Sequence, residues 1–265
     1  MSKNKQAILL IVISVFFGTL MLTFLKLAQK DVNVYVAGFF RFLFGFLIIF
    51  PYILKSKFTV FKTNHIKKHF YRAVLNLPSM LLYFSALVLL PIEKVTAISF
   101  VVPFFVTILA VLFLGEKIYI YRTLALILGF IGMIVILRPG IINISIGVYM
   151  ALASSLMWSV VIIITKSIAK DDSSITILSY GYTIMTILSF IIVLFYWQTP
   201  GLQTLIYLFF AGLSGTLLHL CINHAYKLVD VSMTQPYSFL SLVFASLVGY
   251  FVFSETPDLF TWIGA

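Results

Sequence analysis

The feature that most constrains this chain is a succession of apolar runs, each about as long as a membrane is thick. A helix needs about 20 predominantly apolar residues to cross a bilayer. Such runs lie at 7–25, 34–54, 73–90, 95–114, 118–137, 144–164, 175–197, 202–222 and 231–253. Another begins near Leu259 and stops at Ala265, so we expect the native protein to continue. The pattern predicts an all-α integral membrane protein with ten transmembrane helices, the tenth truncated at the C-terminus.

Composition agrees with lipid as the main solvent. The chain is 62% hydrophobic and 10% charged, whereas soluble chains average about 45–50% apolar and about 25% charged residues. The net charge of +10 sits in short connections between runs, which argues against a nucleic-acid partner. The single cysteine, Cys221, excludes an intramolecular disulfide framework and offers no metal cluster. We expect no cofactor and no metal, and oligomeric state stays open.

The distribution of basic residues predicts orientation, because cytoplasmic loops carry an excess of Lys and Arg. An N-terminus inside the cell places thirteen basic residues inside and four outside, with Arg41 set aside. The inside set is Lys3, Lys5, Lys55, Lys57, Lys62, Lys67, Lys68, Arg72, Lys117, Arg122, Lys166, Lys170 and Lys227. The outside set is Lys26, Lys30, Lys94 and Arg138. We therefore expect a multi-pass protein of the inner (cytoplasmic) membrane with a cytoplasmic N-terminus.

An internal repeat organises the chain into two five-helix parts, residues 1–140 and 141–265. A shift of 139 positions superposes Ala86 on Ala225, Leu89 on Leu228, Phe100 on Phe239, Phe105 on Phe244, and Glu116 on Glu255. One further position of slippage brings Lys26 onto Lys166. Because five is odd, the second copy is expected upside down relative to the first. Inverted repeats are a recurring design of secondary transporters, with the substrate between the halves.

The fourth and ninth runs also carry a family resemblance. The segment SFVVP at 99–103, continuing to LGE at 114–116, resembles the fourth helix of EamA-type members of the drug/metabolite transporter superfamily. Gly132 and Gly264, which follow Glu116 and Glu255, suit the helix that comes next in that family. The resemblance covers essentially the whole chain. It implies five plus five helices, both termini in the cytoplasm, and transport of small molecules.

A closer likeness is to the bacterial S-adenosylmethionine uptake branch of this family. It is carried by segments 37–44, 98–116, 229–230, 235–237 and 257–258. Similar segments occur in relatives of other specificity, including riboflavin carriers. That branch often has an Arg and a Glu where this chain has Ser238 and Ser241.

Arg41 is the one strongly basic residue well inside a predicted span, about 10 Å from its start at roughly 1.5 Å per residue. A charge at that depth is costly and faces the protein interior or water. It is a candidate for attracting a carboxylate or another anionic group of a substrate. The alternative is an arginine that snorkels or caps backbone carbonyls.

Two polar helix faces are further candidates for substrate contact. Spacings of three and four residues place each trio on one face of its helix. The trios are Asn76, Ser79 and Tyr83 in the third span, and His219, Asn223 and Tyr226 in the eighth. Hydrogen bonding between helices is the alternative for each residue.

Aromatic residues and prolines complete the candidates within the spans. Trp158 and Tyr237 are candidate walls for a planar or cationic ligand, with ordinary packing as the alternative. Pro103 and Pro236 remove backbone hydrogen bonds, which predicts pivots or exposed carbonyls, or else static kinks.

The acidic residues all fall in loops or at helix ends. Glu116 and Glu255 close their helices and are candidates for gating or structural contacts. The pair Asp171 and Asp172 reads as an ordinary solvated turn. His219 is then the intramembrane candidate for carrying a proton, because histidine titrates near neutral pH; a packed neutral side chain is the alternative.

These features favour a secondary transporter of a small organic metabolite, with lipid as its surroundings. Import of S-adenosylmethionine or a similar compound competes with export of amino acids, other metabolites or drugs. A membrane enzyme would need clustered carboxylates for a metal or a nucleophile with a nearby base, and no such pattern is present in the sequence. A receptor or scaffold, the third class, usually carries an appended soluble domain.

Overall fold

The computed structural model describes residues 3–117, 120–137, 145–254 and 260. Within them the chain forms helices and short connections, without a β-strand. The α-helices are α1 (Lys3–Ala28), α2 (Val34–Lys55), α3 (Ile66–Leu89), α4 (Ile92–Ile98), α5 (Val101–Leu114), α6 (Ile120–Leu137), α7 (Ile146–Ala169), α8 (Ser174–Val193), α9 (Leu202–Leu228), α10 (Val231–Thr234) and α11 (Leu240–Phe253). Two 3₁₀ turns lie at Thr59–Phe61 and Gln235–Phe239.

The apolar runs predict most of these helices. Eight spans among the described residues are long and apolar enough to cross a membrane, counting α4 with α5 and α10 with α11 as one span each. The fifth predicted span coincides with α6, which is helical but is not among those eight. The predicted tenth helix lies outside the described residues.

The fourth and ninth spans differ from the continuous helices that the sequence predicts. In the fourth, α4 ends before Ser99 and α5 begins at Val101. Pro103 has no N–H for the Ser99 carbonyl, and that oxygen accepts from the Val102 N–H instead, at 2.9 Å. In the ninth, a 3₁₀ turn containing Pro236 separates α10 from α11. Proline removes an i→i−4 bond in each case, so the chain tightens or bends there.

Several helices extend beyond the apolar runs, so a number of basic residues predicted in connections lie inside helices instead, Arg72 and Lys166 among them. Arg72 lies within α3, and Lys166 lies within α7 with 7% of its surface exposed. Their positions outside the apolar runs predict connections, because hydropathy marks only the apolar part of a helix. A helix continues past the bilayer core wherever its backbone bonds and tertiary partners support it.

Hydrogen bonds between connections define the two ends of the bundle. At one end Lys26 donates to the Leu90 carbonyl, so the C-termini of α1 and α3 lie together. At the other, Lys166 donates to the carbonyls of Tyr226 and Val229, so the C-termini of α7 and α9 lie together. We call these the Lys26 end and the Lys166 end.

The helices of the two predicted halves interlock rather than forming separate bodies. Helix α1 packs against α9, α3 against α7, and α2 against α8. A large apolar core joins them, with Phe42 of α2 and Tyr182 of α8 in edge-to-face contact at 5.9 Å between ring centroids. A space left between the interlocked helices is therefore bounded by residues from both halves.

Candidate functional site

A cavity of about 360 Å³ lies inside the bundle, within the size range of small-molecule sites. Residues of α1, α2, α3, α4, α5, α7, α8, α9, α10 and α11 contribute to its walls. Its polar and aromatic hydrogen-bonding residues are Ser14, Thr19, Arg41, Arg72, Asn76, Ser79, Tyr83, Thr96, Ser99, Ser154, Ser155, Trp158, Thr165, Tyr182, His219, Asn223, Tyr226, Thr234, Gln235, Ser238 and Ser241.

Most of the candidates chosen from sequence lie together in this cavity. Those in its lining are Arg41, Asn76, Ser79, Tyr83, Trp158, His219 and Asn223, together with Pro103 and Tyr226. Their contact with a solute stays a prediction. Their common location shows that helical spacing identified the inward faces of α3 and α9.

Tyr237 does not line the cavity. In the 3₁₀ turn, residues three apart share a face, and Gln235 and Ser238 hold the inward one. Tyr237 instead packs against the apolar cluster of Ala7, Ile11 and Ala225. An aromatic wall formed by Tyr237 therefore has no geometric support.

Arg41 is 4% exposed and its guanidinium has neutral neighbours. Nε and Nη2 lie 3.3 and 3.2 Å from the sulfur of Met21. Nη2 also lies 3.2 Å from His219 Nε2, which must be the acceptor because a guanidinium only donates. The Phe42 ring centroid lies 4.2 Å from the guanidinium carbon. Among the described residues, the hydrogen-bond partners of Arg41 are thus side chains and not backbone carbonyls.

Arg72 is a second cavity arginine, although the charge distribution predicts that it lies in a cytoplasmic segment. Its Nη2 donates to the Ile177 carbonyl at 2.8 Å, and its buried Nε has no hydrogen-bond partner. An ideal Cβ at Gly181 would lie 2.5 Å from Nη2, so the bare glycine backbone makes room for the guanidinium. A signal was present: Arg72, Asn76, Ser79 and Tyr83 follow at spacings of four, three and four, one continuous helical face.

The polar faces of the helices also bond to each other across the cavity wall. Ser79 Oγ donates to the Ser154 carbonyl at 3.0 Å, and Ser154 Oγ donates to the Ser79 carbonyl at 2.7 Å. Ser99 Oγ lies 3.4 Å from Tyr83 Oη, beside the break between α4 and α5. The Ser79 side chain is thus hydrogen-bonded to α7, as the alternative of bonding between helices predicts. No such reciprocal pair is described for Asn76.

Aromatic rings form one side of the cavity. The Trp158 and His219 ring centroids are 6.1 Å apart, and Tyr182 meets His219 edge to face at 6.5 Å. Flat walls of this kind suit a planar or cationic ligand group.

The charge of the lining is one-sided. Both Arg41 and Arg72 line the cavity, and none of the acidic residues in the described ranges does. Ser238 and Ser241, where the resembling branch often has Arg and Glu, both face inward. The cavity therefore presents positive charge and neutral hydrogen-bonding groups.

Glu116 lies at the Lys166 end and caps a helix. Its two carboxylate oxygens accept from the N–H groups of Val231 and Ser232, at 2.9 and 3.0 Å, at the start of α10. A carboxylate stabilises a helix N-terminus, where N–H groups lack partners. Glu255, its predicted counterpart, lies outside the described residues.

Asp172 corrects the interpretation of the acidic pair as a solvated turn. It is 6% exposed, accepts from the Thr63 hydroxyl at 2.7 Å, and its Oδ2 lies 2.8 Å from His69 Nε2. Asp171 behaves more as expected, with an exposed side chain whose Oδ2 lies 2.8 Å from His65 Nε2. Partners about a hundred positions away in the chain bury Asp172, and local sequence does not reveal them.

Comparison with known proteins decides the family. The model of the EamA-like transporter family matches residues 5–138 and 145–265. The chain belongs to the EamA-like transporter family. It is accordingly a multi-pass membrane protein of a transport family, as the resemblance in the fourth helix predicts.

The relatives include carriers of two different solutes. The chain is 32% identical to the S-adenosylmethionine uptake transporter of Rickettsia felis over 228 residues, which cover 86% of this chain and 78% of that one. It is 28% identical to the riboflavin transporter of Rhizobium johnstonii, covering 86% and 76%. A crystal structure with 17% identity superposes with a TM-score of 0.73, covering 96% of this chain and 92% of that one. This last likeness concerns the fold alone.

Proposed function

We propose that this EamA-family member is a secondary transporter that moves a small organic metabolite across the inner membrane by alternating access. The cavity carries the proposal: it is of small-molecule size, combines apolar walls with polar side chains, and is lined by residues on both sides of position 140. In such carriers the solute lies between two repeats near the membrane midplane. Rocking of the halves then exposes it to each side in turn.

The helix bounds support two five-helix repeats, residues 1–140 and 141–265, within ten transmembrane helices. Three helix boundaries recur at the shift of 139 positions seen in the sequence. The matching bounds are Leu89 and Leu228 at the ends of α3 and α9, Ile92 and Val231 at the starts of α4 and α10, and Leu114 and Phe253 at the ends of α5 and α11. The same shift relates Gly115 and Ser254, which both cap their helices in the left-handed conformation.

Packing supports the same arrangement. If α1 corresponds to α7 and α3 to α9, a two-fold relation converts the α1–α9 contact into the α7–α3 contact, and both are extensive. Phe100 and Phe239, matched by the repeat, touch each other edge to face at 4.6 Å between centroids. A residue that meets its own counterpart lies close to a two-fold axis. The C-terminus of α1 lies at the Lys26 end and that of its proposed counterpart α7 at the Lys166 end. These opposite directions support an inverted repeat.

Orientation is proposed from charge. The Lys166 end carries the basic connection 55–68 and faces the cytoplasm, together with the N-terminus; the Lys26 end faces outward. This follows the excess of Lys and Arg on the cytoplasmic side of membrane proteins.

S-adenosylmethionine is the first solute to test, because of the relatives that carry it. The adenine ring and sulfonium suit the walls formed by Trp158, Tyr182 and His219, and the carboxylate suits Arg41. Riboflavin is the second, since its planar ring suits the same walls and relatives at 28% identity carry it.

The test is solute uptake into liposomes that contain the purified chain, with radiolabelled S-adenosylmethionine, riboflavin and amino acids compared. We expect saturable flux of one solute, and lower flux with Arg41→Ala or His219→Ala at unchanged membrane insertion. His224→Ala, an exposed histidine on the same helix α9, is the matched control and should leave flux unchanged. Absence of protein-dependent flux for every solute contradicts the proposed function, and normal flux in both cavity variants removes Arg41 and His219 from the site.

A further inference from the structure

We propose that Arg41 and Arg72 together form an anion site, so that the transported solute must carry a negatively charged group such as a carboxylate. This rests on the proposed function and names the substrate class of the same cavity. The site combines Arg41, a candidate from the sequence, with Arg72, which the structure places in the same cavity.

The guanidinium charges of Arg41 and Arg72 carry a free-energy cost of dehydration. A guanidinium removed from water inside a membrane protein is expensive unless an opposite charge compensates it. Within the described residues no carboxylate forms an ion pair with Arg41 or Arg72, and no described acidic residue reaches the cavity. The protein itself therefore leaves this positive charge without a described counterion.

The two arginines also have unused hydrogen-bonding capacity. A guanidinium has five N–H donors. Arg41 directs its donors at a thioether sulfur and an imidazole nitrogen, both weak or neutral acceptors. Arg72 uses one donor on the Ile177 carbonyl, while its buried Nε–H has no partner. Charge-assisted bonds to an anion would satisfy such donors best, because they are roughly twice as strong as neutral ones.

Arg41 and Arg72 line the same cavity from different helices. Arg41 reaches the cavity from α2 and Arg72 from α3, and His219 of α9 contacts Arg41 directly at 3.2 Å. Ser238 and Ser241 in the same lining add hydroxyl groups but no negative charge. A solute group that binds there must itself bring the negative charge.

The consequence is selectivity by charge within one cavity. A solute with a free carboxylate or phosphate binds, whereas its neutral analogue of the same size leaves two guanidinium groups uncompensated. S-adenosylmethionine satisfies this requirement through its carboxylate, and riboflavin does not.

Ligand-induced stabilisation of the purified full chain tests this independently of transport, because a ligand of the folded state raises the unfolding midpoint. Two matched probe pairs separate carboxylate from phosphate: S-adenosylhomocysteine with its carboxamide, and flavin mononucleotide with riboflavin. In at least one pair we expect the member with the carboxylate or phosphate to bind about tenfold or more tightly than the member without it, the effect of a charge-assisted bond. The pair that responds identifies the anionic group.

Substitutions test whether Arg41 and Arg72 cause the preference for an anionic group. Arg41→Gln and Arg72→Gln should each remove the preference for the anion, whereas Arg72→Lys, which keeps the charge, should retain part of it. Lys68→Gln, an exposed cation one turn earlier on α3, should retain all of it. Equal binding within both pairs, no binding by either anion at millimolar concentration, or a preference that survives both Gln variants would overturn the proposal.

Liposome flux separates this outcome from failure of the transport function. Anion-selective binding without flux leaves the anion site standing and contradicts transport. Flux of a solute that shows no dependence on its anionic group contradicts the anion site and leaves transport standing.

Discussion

The two ends of the bundle are closed by equivalent elements of the proposed repeats, but with different chemistry. At the Lys166 end, the ammonium of Lys166 lies 2.6 Å from each of two carbonyl oxygens and the residue is 7% exposed. At the Lys26 end, the half-buried Lys26 lies 3.2 Å from the Leu90 carbonyl and 5.0 Å from the ring centroid of Phe253. The lysines that the proposed repeat pairs thus differ, since Lys166 is buried and Lys26 is partly exposed.

The aspartates near these lysines differ in the same direction. Asp172 at the Lys166 end is buried, with Thr63 and His69 bound to one carboxylate oxygen. Asp31 at the Lys26 end is exposed and accepts from the Thr204 hydroxyl at 2.8 Å. Removing one partner of a dehydrated charge costs far more than removing one from a hydrated charge. Stability should therefore depend more on the charges of the Lys166 end.

The lysine pair offers the largest test of this asymmetry. Lys166→Met leaves the carbonyls of Tyr226 and Val229 without a charged donor, which should cost about 3 kcal/mol. That corresponds to a fall of about 6–12 °C in the unfolding midpoint for a chain of this size. Lys26→Met should cost about 1 kcal/mol. Thermal unfolding of both variants in one detergent measures the difference, and equal shifts would remove the asymmetry.

The aspartate pair should show the same order with a smaller effect. Asp172→Asn keeps the shape but removes the charge that binds Thr63 and His69, at an expected cost of about 2 kcal/mol. Asp31→Asn should cost less than about 1 kcal/mol, as exposed charges contribute little. Denaturation of the two variants under matched conditions is the measurement. A larger loss of stability for Asp31→Asn would mean that the Lys26 end, and not the Lys166 end, depends more on its charges.

Glu116 sharpens the comparison at the start of α10. Glu116→Gln leaves only one oxygen to accept from Val231 and Ser232, and we expect a loss of about 1.5 kcal/mol. Glu255→Gln, measured beside it by thermal unfolding, tests whether the predicted counterpart has a similar role. A loss in the first variant alone would confine helix capping by glutamate to the Lys166 end.

The helix caps should reverse the order, with the smallest effect. The Asn33 side chain accepts from the N–H groups of Tyr35 and Val36 and donates to the Tyr196 carbonyl. Ser173 accepts from the Thr176 N–H. Asn33→Ala should therefore cost about 1 kcal/mol and Ser173→Ala about 0.5 kcal/mol. If unfolding shows Ser173→Ala to be the more damaging, the Lys166 end dominates stability through more than its charges.

Local patterns predict the elements of this fold well. Membrane thickness sets the length of an apolar run, and helical periodicity places polar residues on one face, as for Asn76 and Tyr83. Helix breaks at Pro103 and Pro236 follow from the missing N–H, although the bounds of the shorter pieces do not. Arg72 stands just before the third apolar run and beside Lys67 and Lys68, so hydropathy alone predicts a connection there, although its helical spacing continues the polar face of α3.

Tertiary partners explain what local patterns did not predict. Nothing near Asp172 in sequence indicates burial, because its partners Thr63 and His69 come from another segment of the chain. Lys166 is similar, since the carbonyls it binds belong to the end of α9. Tyr237 lies in a 3₁₀ turn whose inward residues are Gln235 and Ser238, and local sequence does not predict that rotation.

The guanidinium groups of Arg41 and Arg72, which have no carboxylate partner among the described residues, also give the proposed transport cycle an electrical character. Each time an empty carrier changes the side to which its cavity opens, positive charge shifts relative to the transmembrane voltage. Moving one elementary charge through the whole voltage is worth about 2.3 kcal/mol for each 100 mV, and a partial shift is worth a proportional fraction of that energy. An anionic cargo cancels part of that charge, so loaded and empty carriers would respond differently to voltage. The resting voltage of the cell would then favour one return path over the other.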